Sequence, residues 1–350
     1  MEATLWKSVE RLAPLSPRFV SVTYGADGRR IGRHGLDINW ISRTVMSTTS
    51  FAMGVPIRVS FEFFPPGDAA MEATLWKSVE RLAPLSPRFV SVTYGADGST
   101  RERTHNLVTR IQRETSLVGA PHLTCVGASK GEILDIARKY WDQGVRHLVA
   151  LRGDPPQGQL NWQPHPDGFA YAADLVAGLA SVGNFDISVA AYPERHPEAP
   201  SPKFDLDNLK RKIDAGASRA ITQFFFDTDT YLRFRDRCAT AGIHAPIVPG
   251  ILPVTRFPQV VRFAERCGAS IPDWLKERFH GLEEDHDTRR MIAASVAIEQ
   301  VHALVRHGVR DFHFYTLNRA ELTYAICHAL SIRPTAQTSQ SQGVPEGALA

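Results

Sequence analysis

The chain has 350 residues, 43% of them hydrophobic and 22% charged, enough apolar material for one large or two medium globular cores. Its 40 basic and 37 acidic side chains leave a net charge of +3, which argues against the clustered basic face of a nucleic-acid binder and leaves anionic small molecules open as partners. No apolar run reaches the roughly 20 residues that span a bilayer, no secretory signal is visible, and Cys125, Cys238, Cys267 and Cys327 form no Cys-x-x-Cys pair; a cytoplasmic protein with free thiols, no membrane contact, no zinc knuckle and no disulfide scaffold is expected.

The first feature in chain order is a duplication: residues 1–28 recur without a change at residues 71–98. Repeats that share a core drift in sequence and need about three units to bury their faces, so two identical copies read as one surplus piece. Only the second copy lies within a continuous pattern of strands and helices. Residues 1–54 are therefore expected to be a surplus, poorly ordered extension, with the fold starting near Val55.

From there, eight β-branched or aromatic runs read as strands, at 57–63, 88–94, 121–126, 146–151, 186–191, 219–226, 245–251 and 311–316. Helical spacing lies between them, as in Leu75, Val79 and Leu82, or Ile133, Ile136, Ala137 and Tyr140, the latter ending at Gly144 as a C-terminal cap. Residues 252–310 exceed one crossover and are expected to add a helix around Trp274, while the polar tail 335–350 reads as disordered. Strand–helix alternation implies parallel strands, and eight such units closing on themselves make a (β/α)8 barrel, here over residues 55–334; an open doubly wound sheet is the rival. The barrel is favoured because no G-x-G-x-x-G turn follows a strand. Polar residues also gather at the strand ends that form a barrel mouth: Glu62, Thr93, Thr124, Arg152 with Asp154, Tyr192, Gln223 and Thr316.

Several of these residues have the chemistry of a site. Glu62 in FEFFPP is flanked by phenylalanines expected to desolvate it, raise its pKa and make it a proton donor near neutral pH; a structural glutamate paired with an arginine fits the same letters. Arg152 and Asp154 in LRGDPP can both turn toward the mouth, or pair with each other to close a loop. In KFDLDNLKRKIDAG, at about 100° per residue, Leu206, Leu209 and Ile213 form one stripe and Asp205, Asn208, Arg211 and Lys212 another. The polar stripe is either a solvated face or one that holds a nucleotide, with Asp and Asn on ribose hydroxyls and Arg and Lys on a diphosphate. The Gln223 amide can read donor and acceptor edges of a heterocycle, and Tyr192 with His196 can flank a flat cofactor. His196 and Glu198 are too isolated for a metal site, and no metal is expected.

Taken together, VSFEFFPP, FVSVTYGA, APHLTC, VALRGD, DISVAAYPE, NLKRKIDAGA, ITQFFFD, PGILPV and DFHFYTLNRAE resemble methylenetetrahydrofolate reductase of the short bacterial type, from about Ile57 to Pro334 and in that family's order. The resemblance implies an FAD-containing (β/α)8 barrel that reduces 5,10-methylenetetrahydrofolate to 5-methyltetrahydrofolate with NADH or NADPH, in one-carbon metabolism and methionine biosynthesis, as a homo-oligomer. It implies Glu62 as the general acid that helps open the imidazolidine ring of the folate, and Asp154 as the carboxylate that tunes the flavin and accepts hydrogen bonds from the folate. Gln223, Phe263 and Arg319 are implied to bind substrate. Thr93, His122, Arg152, Tyr192, His196, Asp205, Asn208, Arg211 and Lys212 are implied to contact FAD. The implied mechanism is ping-pong, both substrates using one face of the flavin. Two departures stand out, a longer loop at 155–170 and the N-terminal extension. Another flavin barrel of the proline dehydrogenase type, and a folate- or nucleotide-binding barrel without turnover, are the alternatives.

Overall fold

A computed structural model describes residues 55–94, 101–154 and 163–335. The first copy of the duplication, the tail from 336 and the first half of the longer loop at 155–170 lie outside the described residues, and with them the expectations placed there.

The elements alternate as the periodicity predicts. In chain order they are β1 (Arg58–Phe63), α1 (Ala69–Leu82), β2 (Val90–Val92), α2 (Arg101–Glu114), β3 (Gly119–Thr124), α3 (Lys130–Asp142), β4 (His147–Leu151), α4 (Ala172–Leu179), β5 (Asp186–Ala191) and α5 (Pro202–Asp214). There follow β6 (Arg219–Thr222), α6 (Thr228–Thr240), β7 (Ile247–Val248), β8 (Gly250–Ile251), α7 (Phe257–Cys267), α8 (Asp273–Phe279), α9 (His286–Arg306), β9 (Asp311–Tyr315) and α10 (Ala320–Ala329). Local signals set the helix ends. Asp68 caps α1 by accepting from the Met71 N–H, Ser129 and Glu132 form a reciprocal capping box on α3, and Ser201 caps α5 ahead of Pro202. Gly144 follows α3 with a φ of +84°, a backbone that glycine adopts without strain.

All strand pairs are parallel, in the order β7-β6-β5-β4-β3-β2-β1-β9-β8. Sequential neighbours without a reversal exclude the doubly wound sheet, whose strand order must switch direction. The expected seventh strand is split at Pro249. Its first half, β7, pairs with β6 and its second half, β8, pairs with β9, so the (β/α)8 barrel closes through this one stretch. Proline has no N–H to give a ladder, and the Pro249 carbonyl turns instead to the His313 N–H at 3.0 Å. The next residue must be glycine: a Cβ on Gly250 would stand 2.2 Å from the Thr222 carbonyl oxygen and 2.6 Å from the Tyr315 ring. The sixth strand also ends earlier than the letters suggest, at Thr222, leaving Gln223 just past the ladder with its N–H on the Ala191 carbonyl at 2.7 Å.

Strand alternation divides the core in two. Outward residues such as Phe61, Phe63, Val90, Val92 and Phe314 join Leu75 and Val79 of α1 in the large layer beneath the helices. Inward residues Phe89, Ala120, Val149, Ile221 and Val248 fill the middle of the barrel. The N-terminal end of the barrel is ionic. Arg58 forks onto Asp311 at 2.8 and 2.5 Å, Arg88 reaches the same carboxylate at 3.0 Å, and Arg219 and His147 hold Asp186 at 2.6 and 3.2 Å.

Candidate active site

At the opposite, carboxyl end of the strands the inward positions become polar. The parity that sends Phe61 and Phe63 outward sends Ser60 and Glu62 inward, where Glu62 pairs in register with Ser91 on one side and Tyr315 on the other. The Glu62 Oε2 atom stands 3.3 Å from His122 Nε2, 3.7 Å from His313 Nε2 and 3.4 Å from the Ser91 hydroxyl, which donates to it. His313 is oriented from behind: its Nδ1 lies 2.7 Å from the Ser60 hydroxyl, and its ring stacks on Phe89 at 5.9 Å.

This arrangement corrects the expected ionisation of Glu62. Burial does push the carboxyl upward, but the two imidazoles outweigh it and hold the group down to about 2. The phenylalanines next to Glu62 in sequence lie on the other face of the strand, so they do not provide its surroundings.

A second group lies around β4, β5 and α5. Arg152 donates to Glu198 at 2.6 Å, a partner from the loop after β5 rather than Asp154. Asp154 is exposed at the end of the described β4 loop; burial, with Asp154 and Asp205 adding to it, raises Tyr192, whereas burial and Arg152 lower His196 against the opposing carboxylates of Asp205, Glu198 and Asp154. Tyr192 and His196 meet edge to face at 4.6 Å, and the His196 N–H donates to Asp205 at 2.9 Å. On α5, Leu209 is buried, Leu206 and Ile213 are partly buried, and Asn208 accepts from Arg211 at 3.3 Å. Lys212 departs from the polar stripe assigned to it. It is buried, donates to the Ala190 carbonyl at 2.5 Å, and is pushed down to about 8 by desolvation that nearby Asp205 only partly opposes.

Tyr315 joins the two groups. Its hydroxyl donates to the Thr222 carbonyl at 2.8 Å, and its pKa is raised well above the ordinary range by burial and by the neighbouring Glu62, Tyr192 and Cys267. Gln223 lines one cleft with Tyr192, Cys267 and Gly268, and Phe263 lies one turn before Cys267 on α7, partly buried. Thr93 sits past the end of β2, its N–H on the Phe63 carbonyl at 3.0 Å, and Arg319 is exposed where α10 begins. Ser60, Ser91, His313 and Tyr315 escaped the sequence reading. Their signal was strand parity: Ser60 shares the inward face of β1 with Glu62, Ser91 and Tyr315 stand in register with Glu62, and His313 stands in register with Ser60.

A (β/α)8 barrel carrying a carboxylate between two imidazoles at the carboxyl end of its strands is built as a barrel enzyme. The sequence model described as Methylenetetrahydrofolate reductase matches residues 50–331. Over 278 residues the chain is 58% identical to the 5,10-methylenetetrahydrofolate reductase of Pectobacterium carotovorum subsp. carotovorum, covering 79% of this chain and 91% of that protein. It is 57% identical over 278 residues to the enzyme of the same description from Escherichia coli (strain K12), covering 79% and 92%. Among solved structures, an uncharacterized protein from Clostridium thermocellum that binds two copies of 5-methyl-5,6,7,8-tetrahydrofolic acid has the same fold, with a TM-score of 0.52 and 15% identity over 79% of this chain and 96% of that one. The chain belongs to the methylenetetrahydrofolate reductase family and is an oxidoreductase.

Proposed function

We propose that the protein reduces 5,10-methylenetetrahydrofolate to 5-methyltetrahydrofolate with a hydride from NADH or NADPH, passed through bound FAD in a ping-pong cycle. The buried Glu62 carboxylate between His122 and His313 is the observation that carries this reading. The reaction needs one hydride and one proton, and Glu62 is a buried carboxyl at the mouth of a barrel, the kind of group that can pass a proton.

The residues present fit a flavin dinucleotide. The Thr124 hydroxyl is buried without a hydrogen-bond partner among the described residues, on the same face of β3 as His122, so a polar group of a ligand would complete it. Arg152, Tyr192, His196, Asp205, Asn208, Arg211 and Lys212 cluster around β4, β5 and α5, with Thr93 and His122 on the adjoining strands. Together they offer cations for a diphosphate, carboxylate and amide for hydroxyls, and flat rings for stacking. When bound, the flavin would supply the two-electron chemistry, taking hydride from nicotinamide and giving it to the one-carbon unit.

The chain itself handles substrate and proton. Gln223, Phe263 and Arg319 would orient the folate, Gln223 on the pterin edge and Phe263 by stacking. Glu62 would deliver the proton to the folate nitrogen that leaves as the imidazolidine ring opens, with His122 and His313 holding its carboxyl in place. Asp154 would accept hydrogen bonds from the pterin and set the local charge.

An absorption spectrum tests this directly. Purified protein should show a flavin band that NADH bleaches and methylenetetrahydrofolate restores. A band bleached by NADH that folate never restores would overturn the assignment of substrate.

A further inference from the structure

The ladder between β1 and β9 ends at the pair Glu62 and Tyr315. Beyond it the chain after β9 makes an unusual turn, with Leu317 at φ 51° and Asn318 at φ 57°, both in the left-handed region that side chains other than glycine, asparagine and aspartate enter under strain. The turn is bolted to the strand end that carries Glu62. The Asn318 carboxamide accepts from the Phe64 N–H at 2.8 Å and donates to the Phe64 carbonyl at 2.9 Å, serving both groups of that residue as a neighbouring strand would. The Thr316 hydroxyl donates to the Glu62 carbonyl at 2.6 Å and accepts from the Asn318 N–H at 3.2 Å, while Ser78 of α1 donates to the Asn318 carbonyl at 2.8 Å.

We propose that Asn318 is a positioning residue. Its carboxamide locks the backbone two residues past Glu62 to the turn bearing Leu317 and Arg319, and so sets the distance between the proton donor and the wall that receives the folate. The inference rests on the reading of the site given above. Two properties of asparagine are needed at once: tolerance of the left-handed backbone, and a donor and an acceptor on one short side chain. Glycine has only the first, and aspartate would turn a second carboxylate oxygen toward the Phe64 carbonyl.

The test separates the two half-reactions. In N318G and N318D, flavin reduction by NADH should stay within about twofold of wild type, while reoxidation by methylenetetrahydrofolate slows about tenfold or more, because a displacement of about 1 Å between reacting groups is costly. The loss should fall on the rate constant more than on the half-saturating folate concentration, and the pH profile of reoxidation should shift with it. N318D keeps the size of the side chain and serves should N318G fail to fold. Wild-type reoxidation rates in both variants, or equal losses in both half-reactions, would overturn the positioning role alone. A wild-type protein that folate never reoxidises would overturn the parent reading and this inference with it.

Discussion

His122 Nε2 and Glu62 Oε2 lie 3.3 Å apart across two intervening strand pairings, β1 with β2 and β2 with β3. Closure of the barrel brings His313 to the same oxygen from the other side, at 3.7 Å. Neither histidine is near Glu62 in sequence, yet together they decide its charge.

Replacing Glu62 with glutamine keeps the shape and removes the ionisable oxygen. Flavin reduction by NADH should persist, and folate-dependent reoxidation should fall roughly 10²- to 10⁴-fold, the usual contribution of a positioned acid. Rapid-mixing absorbance of the two half-reactions checks this; equal losses in both would remove Glu62 from its role.

The ionic end of the barrel should govern acid stability. Burial pushes Asp311 and Asp186 up, but Arg58 and Arg88 on the first and Arg219 on the second hold both below the ordinary 3.8. Carboxyls depressed in the folded state stabilise it above their unfolded pKa and lose that contribution as pH falls below it. Burial also lowers His147 from 6.5, so its protonation on acidification works in the same direction. Urea midpoints should therefore drop as pH falls from about 6.5 to below about 3.8, and D311N should flatten the lower part of that curve.

The two identical copies should behave differently. Leu75, fully buried beneath the barrel, should cost about 2–5 kcal/mol when replaced by alanine, whereas Leu5, its counterpart in the first copy, should cost nothing measurable. Removal of residues 1–54 should leave thermal unfolding and flavin content unchanged. A silent L75A in the full chain, made harmful by that deletion, would mean that the first copy can substitute for the second.

A methyl group at Gly250 has nowhere to go. G250A should destabilise the barrel by about 1–3 kcal/mol in denaturant titrations, the range for overpacking, and should displace Tyr315 from the Thr222 carbonyl. Folate reoxidation should suffer more than flavin reduction, since Tyr315 borders Glu62.

Lys212 should make cofactor retention pH-dependent. Its ammonium, pushed down to about 8, loses charge as pH rises through that value, and flavin affinity measured by fluorescence titration should weaken there. K212M should bind flavin weakly at every pH and show no such transition.

The strand pattern and the residues at the strand ends were legible in the letters, because short β-branched and aromatic runs between stretches of helical spacing mark strands locally. Residues 57–63 and 311–316 were placed as strands, and β1 and β9 fall within them. The surroundings of Glu62 were not legible. Its neighbours along the chain, Phe61 and Phe63, face away, and the expectation of a raised pKa rested on them. Lys212 was assigned to a polar stripe by helical spacing, but the stem of a lysine can lie along an apolar face and carry its amino group inward to a strand carbonyl.

By itself, the sequence determined the alternation of eight strand–helix units, the family, and the place of Glu62 at the end of the first strand. Only the tertiary structure decided that the ring closes through a strand split at Pro249, that Glu62 stays ionised between two imidazoles, and that Asn318 binds both backbone groups of Phe64. The division has a physical cause. Secondary structure and facing depend on residues a few positions apart, whereas the charge state of a buried group and the partners of an irregular backbone depend on what strand register and barrel closure bring within a few ångströms from far along the chain.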